Sequence, residues 1–206
     1  VDLRSWDDTQ APYATSRGGR VLAERVAPDG RRLFLGFEDG VEVVDLAQDE
    51  LTAGMRVTTV ISRPGFMPGC ISSCAAIAGF HHGDQFAVLD VGNYRVTAFD
   101  YDGAFVRHFD TPDGFLQLDR TGGNHVLLDL DVDAAGNVWV LSQLMQVNAR
   151  PVPSLSIYGT SGKRLVELSS VAAERFALDR FNQVFALNRQ AIMGPSGYAS
   201  PTVSRF

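Results

Sequence analysis

The sequence predicts an all-β protein, a β-propeller of four-stranded antiparallel blades, on three observations. From residue 21 onward, short runs rich in Val, Leu and Phe alternate with Asp-Gly, Gly-Asn and Ser-Gly turns, the chemistry of strands joined by tight reversals. Nowhere do the apolar residues keep a helical period. The second strand of each group recurs at Leu33, Phe86, Val138 and Val184, a spacing of roughly 50 residues, which is the length of a propeller blade. A sheet with two apolar faces buries both only by stacking on neighbours, and radial stacking is how repeated antiparallel sheets achieve this.

In chain order, residues 1–20 hold Trp6, Asp7-Asp8, Pro12, Tyr13 and Gly18-Gly19 without a sustained period and read as an N-terminal arm, with one candidate strand at 3–6. The first blade spans 21–69, with strands at 21–27, 33–37, 41–46 and 56–61 around the turns Pro28-Asp29-Gly30 and Glu38-Asp39-Gly40. The second, 70–121, opens at 71–80 and runs through DQFAVLDVGNYRVTAFDYDGAFVRHF at 84–109, where Gly92-Asn93 and Asp102-Gly103 separate strands. The third, 122–172, contains VLLDLDVDAAGNVWVLS, a turn at 133–137, an excursion over 143–153 and a hairpin at Ser161-Gly162. The fourth, 173–206, has RFALDRFNQVFALN, a Gly/Pro/Ser-rich excursion at 191–201 and a last strand from Thr202, which leaves it incomplete.

About four blades are thus visible. Two completions fit. The arm at 3–6 could close a four-bladed ring beside 202–206, or the chain could be part of a six- or seven-bladed ring whose other blades lie elsewhere in a longer protein or in an additional chain. The second is preferred, because an open half-ring exposes sheet faces and edges that proteins cover; a chain starting at Val1 rather than Met agrees with it.

The residues Asp90, Gly92-Asn93, Arg95-Val96, Phe99-Asp100, Asp102-Gly103, Phe105 and Phe109 resemble the NHL repeat, which runs as an Asp, then Asn-x-Arg-hydrophobic, then Phe-Asp and a Gly turn. The resemblance is close over this one blade. APDGRRLFLGF and DAAGNVWVLS share the Gly-turn-strand opening but lack Asn-x-Arg. It implies a propeller scaffold that mostly binds partners, with some enzymes among its relatives, so it leaves function open. Asp90 and Arg95 are expected to fix the blade rather than to meet a ligand.

Composition removes some functions. A net charge of −6 with Lys163 as the sole lysine and no basic run opposes nucleic-acid binding, which needs a positive surface. No apolar run reaches the roughly 20 residues of a membrane-spanning helix. Cys70 and Cys74, in PGCISSCA, are a disulfide candidate, which together with the missing start points to a periplasmic or extracellular setting.

Candidate sites are few. Cys70, Cys74, His81 and His82 invite a zinc reading, but their spacing matches no established motif and adjacent histidines on a strand face opposite ways. Asp129, Asp131 and Asp133 alternate with apolar residues, so a strand places the carboxylates on one face, where calcium would neutralise them. Ala134 and Val140 stand where a Ca-loop needs Gly and Glu. With Asn124 or His125, the pair Asp129 and Asp131 would serve a calcium- or zinc-dependent hydrolase or lyase in the propeller channel. No nucleophile triad or phosphate loop occurs, and GGN at Gly122 is too short for one. The first expectation is therefore a non-catalytic protein-binding or scaffolding subunit, with Met145, Val147, Ile192, Met193 and Tyr198 in the two excursions as partner contacts.

Overall fold

The computed structural model describes residues 20–46, 56–61, 63–111, 124–145, 151–169, 171, 173–179, 181–188 and 202–205. Among them the chain forms strands and no helix: β1 (Ala23–Val26), β2 (Arg32–Phe37), β3 (Gly40–Asp45), β4 (Arg56–Ile61), β5 (Cys74–Gly79), β6 (Gln85–Asp90), β7 (Arg95–Asp100), β8 (Phe105–Asp110), β9 (Asn124–Val132), β10 (Val138–Met145), β11 (Val152–Tyr158), β12 (Arg164–Ser169), β13 (Arg175–Leu178), β14 (Val184–Asn188) and β15 (Thr202–Arg205). They build four antiparallel meanders, β1-β2-β3-β4, β5-β6-β7-β8, β9-β10-β11-β12 and β13-β14-β15. These are blades of a β-propeller. The arm at 1–19 and the excursion at 191–201 lie outside the described residues.

Turn chemistry accounts for three of the aspartates. Asp29 Oδ1 accepts the Arg31 amide at 2.8 Å, Asp133 Oδ1 accepts the amides of Ala135 and Asn137 at 2.9 and 2.8 Å, and Asp179 Oδ1 accepts those of Phe181 and Gln183 at 2.8 and 2.9 Å. The same first hairpin of the first, third and fourth blades is closed by an aspartate that substitutes for a backbone acceptor. Asp133 is therefore a turn residue and leaves the strand face that carries Asp129 and Asp131.

The central strands are mostly apolar because both of their faces are buried. In β6, Phe86 and Val88 join the cluster shared with Phe34, Val41, Val43 and Ile61 of the first blade, whereas Ala87 and Leu89 join Leu130, Val132, Val138 and Val140 of the third. Phe34 stacks on Phe86 with ring centroids 4.6 Å apart, and Phe86 on Phe99 at 5.8 Å. Each such ring contributes about 1.5–3 kcal/mol through burial. Leu141, Leu155, Phe176, Val184 and Ala186 bind the third blade to the fourth. By contrast β12 is exposed along its whole length and β8 on most of it, as outermost strands are. Phe34 is fully buried, whereas Trp139 and Phe185 are half-buried.

Close approach of blades 1 and 2 requires glycine at Gly36, where a Cβ would lie 2.4 Å from the Cys74 sulfur and 3.0 Å from Ile77 Cδ1. One difference from the sequence reading concerns a blade end. The excursion expected at 143–153 shrinks, because Gln143 pairs with Pro153 and Leu144 with Val152, continuing the β10–β11 ladder. Pro153 is tolerated there because it stands near the start of β11, where a missing N–H costs the ladder little. The fourth sheet has three strands among the described residues.

Candidate functional site

The innermost strands β1, β5, β9 and β13 line a central cavity of about 300 Å³, walled by Ala75, Ala76, Ile77 and Phe176 and edged by Glu24, Arg25, Asp129 and Arg175. Asp129 and Asp131 do share one face of β9, and that face turns to the next blade. Asp129 Oδ2 accepts the Phe176 amide at 3.0 Å, and Asp131 Oδ2 accepts the Leu178 amide at 2.9 Å. Each also takes the amide of the residue after it, Leu130 at 3.0 Å and Val132 at 2.9 Å. Arginines complete both sets: Arg25 of β1 reaches Asp131 at 2.7 Å, and Arg175 lies 3.8 Å from Asp129 while donating to the Leu128 carbonyl at 2.6 Å.

The two carboxylates are thus committed to backbone amides and guanidinium groups, which give no reason for a cation to bind. Burial pushes the Asp129 carboxyl above its usual range, and the amides of Phe176 and Leu130 with Arg175 and Arg25 only partly offset it. At Asp133 the balance is reversed. Burial acts to raise it, but hydrogen bonds from the Asn137 side chain, Trp139 Nε1 and the amides of Asn137 and Ala135 outweigh that and hold it below the usual range. Asn124 and His125 open β9.

The cysteine and histidine candidates do not assemble. His81 and His82 are exposed on the turn between β5 and β6, at the end of β5 opposite to Cys74. Among the described residues no three His, Cys, Asp or Glu side chains gather as a metal site. Cys70 and Cys74 are free thiols rather than the disulfide their spacing predicts. Cys74 begins β5 with its sulfur in the seam against Gly36, whereas Cys70 sits in the preceding loop with its carbonyl held by Arg95. Burial, reinforced by the charge of Asp90, pushes the Cys74 thiol far up.

That loop, between β4 and β5, is the most constrained irregular segment described. Arg95, 5% exposed, donates from Nη1 to the Phe66 carbonyl at 3.0 Å and from Nη2 to the carbonyls of Met67 and Cys70 at 3.0 and 2.7 Å. Asn93 Nδ2 donates to the Gly65 carbonyl and to Asp90 Oδ2, at 2.9 and 2.6 Å. Asp90, fully buried, accepts the amides of Ser72 and Ser73 at 2.9 and 3.1 Å and lies 3.5 Å from Arg95 Nε. Asp90, Asn93 and Arg95 hold the loop, while Phe66 and Met67 remain 79% and 71% exposed. Sequence reasoning passed over this apolar pair; its only signal was two large apolar residues between Pro64-Gly65 and Pro68-Gly69.

Of the expected partner contacts, Met145 is exposed at the end of β10. Val147, Ile192, Met193 and Tyr198 lie outside the described residues.

No family profile matches the chain, and no curated protein is a significant match. Its architecture is that of β-propeller-type solved structures. Hydrazine synthase from Kuenenia stuttgartiensis aligns with a TM-score of 0.59 at 12% identity over 90% of this chain and 45% of that one. The periplasmic gluconolactonase of Pseudomonas aeruginosa gives 0.56 at 18% identity over 91% and 54%, and U3-55K gives 0.58 at 16% over 93% and 53%. The chain spans about half the length of these structures. No helix among the described residues is long and apolar enough to cross a membrane.

Proposed function

We propose that this chain is an NHL-like β-propeller acting as a non-catalytic protein-binding or scaffolding subunit outside the cytoplasm, with a protein partner or an additional chain completing the ring. The carrying observation is the difference between the two ends of the blades. The first hairpins, at 27–31, 80–84, 133–137 and 179–183, are short, and several are closed by aspartates. The longer connections, at 62–73, 111–123 and 189–201, leave from the other end, where 146–151 is only one residue longer than a first hairpin, and 46–55 is the one long connection at the first end. Long connections carried by rigid sheets are where binding residues concentrate. The commitment of Asp129 and Asp131 to amides supports a structural role for them.

The test is co-purification from the native source followed by reconstitution with purified components. A stoichiometric complex that survives chelation supports the reading; a monomer without a partner under both conditions overturns it. A second reading, a calcium- or zinc-dependent hydrolase or lyase, draws on the 300 Å³ channel cavity and its charged edge. Elemental analysis that finds neither metal in the natively purified protein removes it.

A further inference from the structure

We propose that Phe66 and Met67 form a pre-set, two-pronged apolar anchor for a protein partner that offers an apolar pocket with a basic rim. This rests on the protein-binding reading above and names its contact. The two are the most exposed large apolar side chains among the described residues, at 79% and 71%. Water-facing apolar side chains next to each other on a mobile loop would fold back onto the nearest surface. Here they are prevented from doing so, because the carbonyls of Gly65, Phe66, Met67 and Cys70 are all held by Asn93 or Arg95 and the Cys70 amide donates to the Met67 carbonyl at 3.0 Å.

The clamp has a physical consequence for association. The backbone is ordered before a partner arrives, so binding does not bear the cost of ordering it. Phe and Met are favoured in the cores of interfaces, and two adjacent prongs fit a concavity better than a flat surface. Charge selects the rim. Glu38 and Asp110 are exposed on the two blades that flank the loop, Arg63 is the exposed base beside the prongs, and the chain carries −6 overall. Such a surface favours basic groups around the pocket and is repelled by anionic bilayers.

The experiment places a photo-crosslinking p-benzoylphenylalanine at position 66, and separately at position 145, in the full-length protein in its native cells. Expected is a covalent adduct from position 66 with one protein. That protein, purified, binds the double variant F66S/M67S at least about tenfold more weakly than the parent, as loss of two buried apolar side chains requires, while the Tm is unchanged and added salt weakens parental binding. Asn93→Ala, which releases the Gly65 carbonyl and keeps both prongs, gives a smaller loss in the same direction. The anchor is overturned by adducts from 66 to lipid only, to a second copy of this chain only, or by a partner that binds F66S/M67S as well as the parent. Adducts from 145 without any from 66 overturn the anchor and leave the protein-binding reading standing; adducts from neither position overturn both.

Discussion

Cys74 and Gly36 face each other across the seam of the first two blades, and neither has room to grow. Gly36→Ala, whose Cβ would fall 2.4 Å from the Cys74 sulfur, is expected to destabilise by about 1–3 kcal/mol, the usual effect of overpacking. Cys74→Ala in the same chain should recover much of that loss, and a urea-denaturation double-mutant cycle measures the coupling. The same burial makes the thiol inert: iodoacetamide should modify Cys70 in the native protein and reach Cys74 only on unfolding, since burial holds Cys74 in the unreactive protonated form. Peptide mapping of the alkylated protein distinguishes the two sites. From the sequence the cysteines are only near neighbours; which way each sulfur points depends on the blade packed against it, and a local reading has no access to that.

At the scale of strands and turns, Asp131→Ala should release the Leu178 amide and Arg25 together, so hydrogen exchange is expected to quicken at Leu178 and, through the loosened strand, at Phe176, with little change in the second blade. Asp133 gives a pH test. Its folded carboxyl lies below the ordinary value of about 3.9, so its stabilisation is present above that pH and is lost as the pH falls through the lower folded value. Asp133→Asn, which sets an amide against Asn137 and Trp139 Nε1, should cost about 1–3 kcal/mol at pH 7, and the difference between parent and variant should start to shrink below about pH 4 and go on shrinking as the pH falls through the lower folded value when thermal melts are compared. Strand positions and hairpin turns were legible because alternation and Asp-Gly chemistry are local. The extension of β10 and β11 into the expected excursion was not, because Pro153 argues locally against a strand and its place near the start of β11 is set by the pairing with β10.

For the whole molecule, the aromatic seam of Phe34, Phe86, Phe99 and Tyr101 packs the first two blades together and is expected to make them one unfolding unit. Phe86→Ala should cost about 3–5 kcal/mol and lower the denaturation midpoint of the first and second blades together; hydrogen exchange showing one blade loosened alone would contradict that coupling. The repeat near 50 residues made the blade architecture readable, since each copy restates the same pattern of two apolar faces. From the sequence, Asp129, Asp131 and Asp133 were legible as three carboxylates on one strand face, but not the departure of Asp133 into the turn nor the role of the other two. Their partners are backbone amides 47 residues away, and amides carry no sequence signature.

Those two hydrogen bonds have equal offsets, Phe176 to Asp129 and Leu178 to Asp131. Carboxylates at every second residue of one strand meet amides at every second residue of another, with side chains taking the place of a backbone ladder. The seam therefore behaves as a key with two teeth. Sliding β13 by one residue engages neither tooth, and sliding it by two engages one. Alignment between neighbouring blades, which apolar contact alone leaves free to drift, is set by counting residues. A single-residue insertion in β13 between Phe176 and Leu178 would spoil the fit while leaving every apolar side chain in the protein.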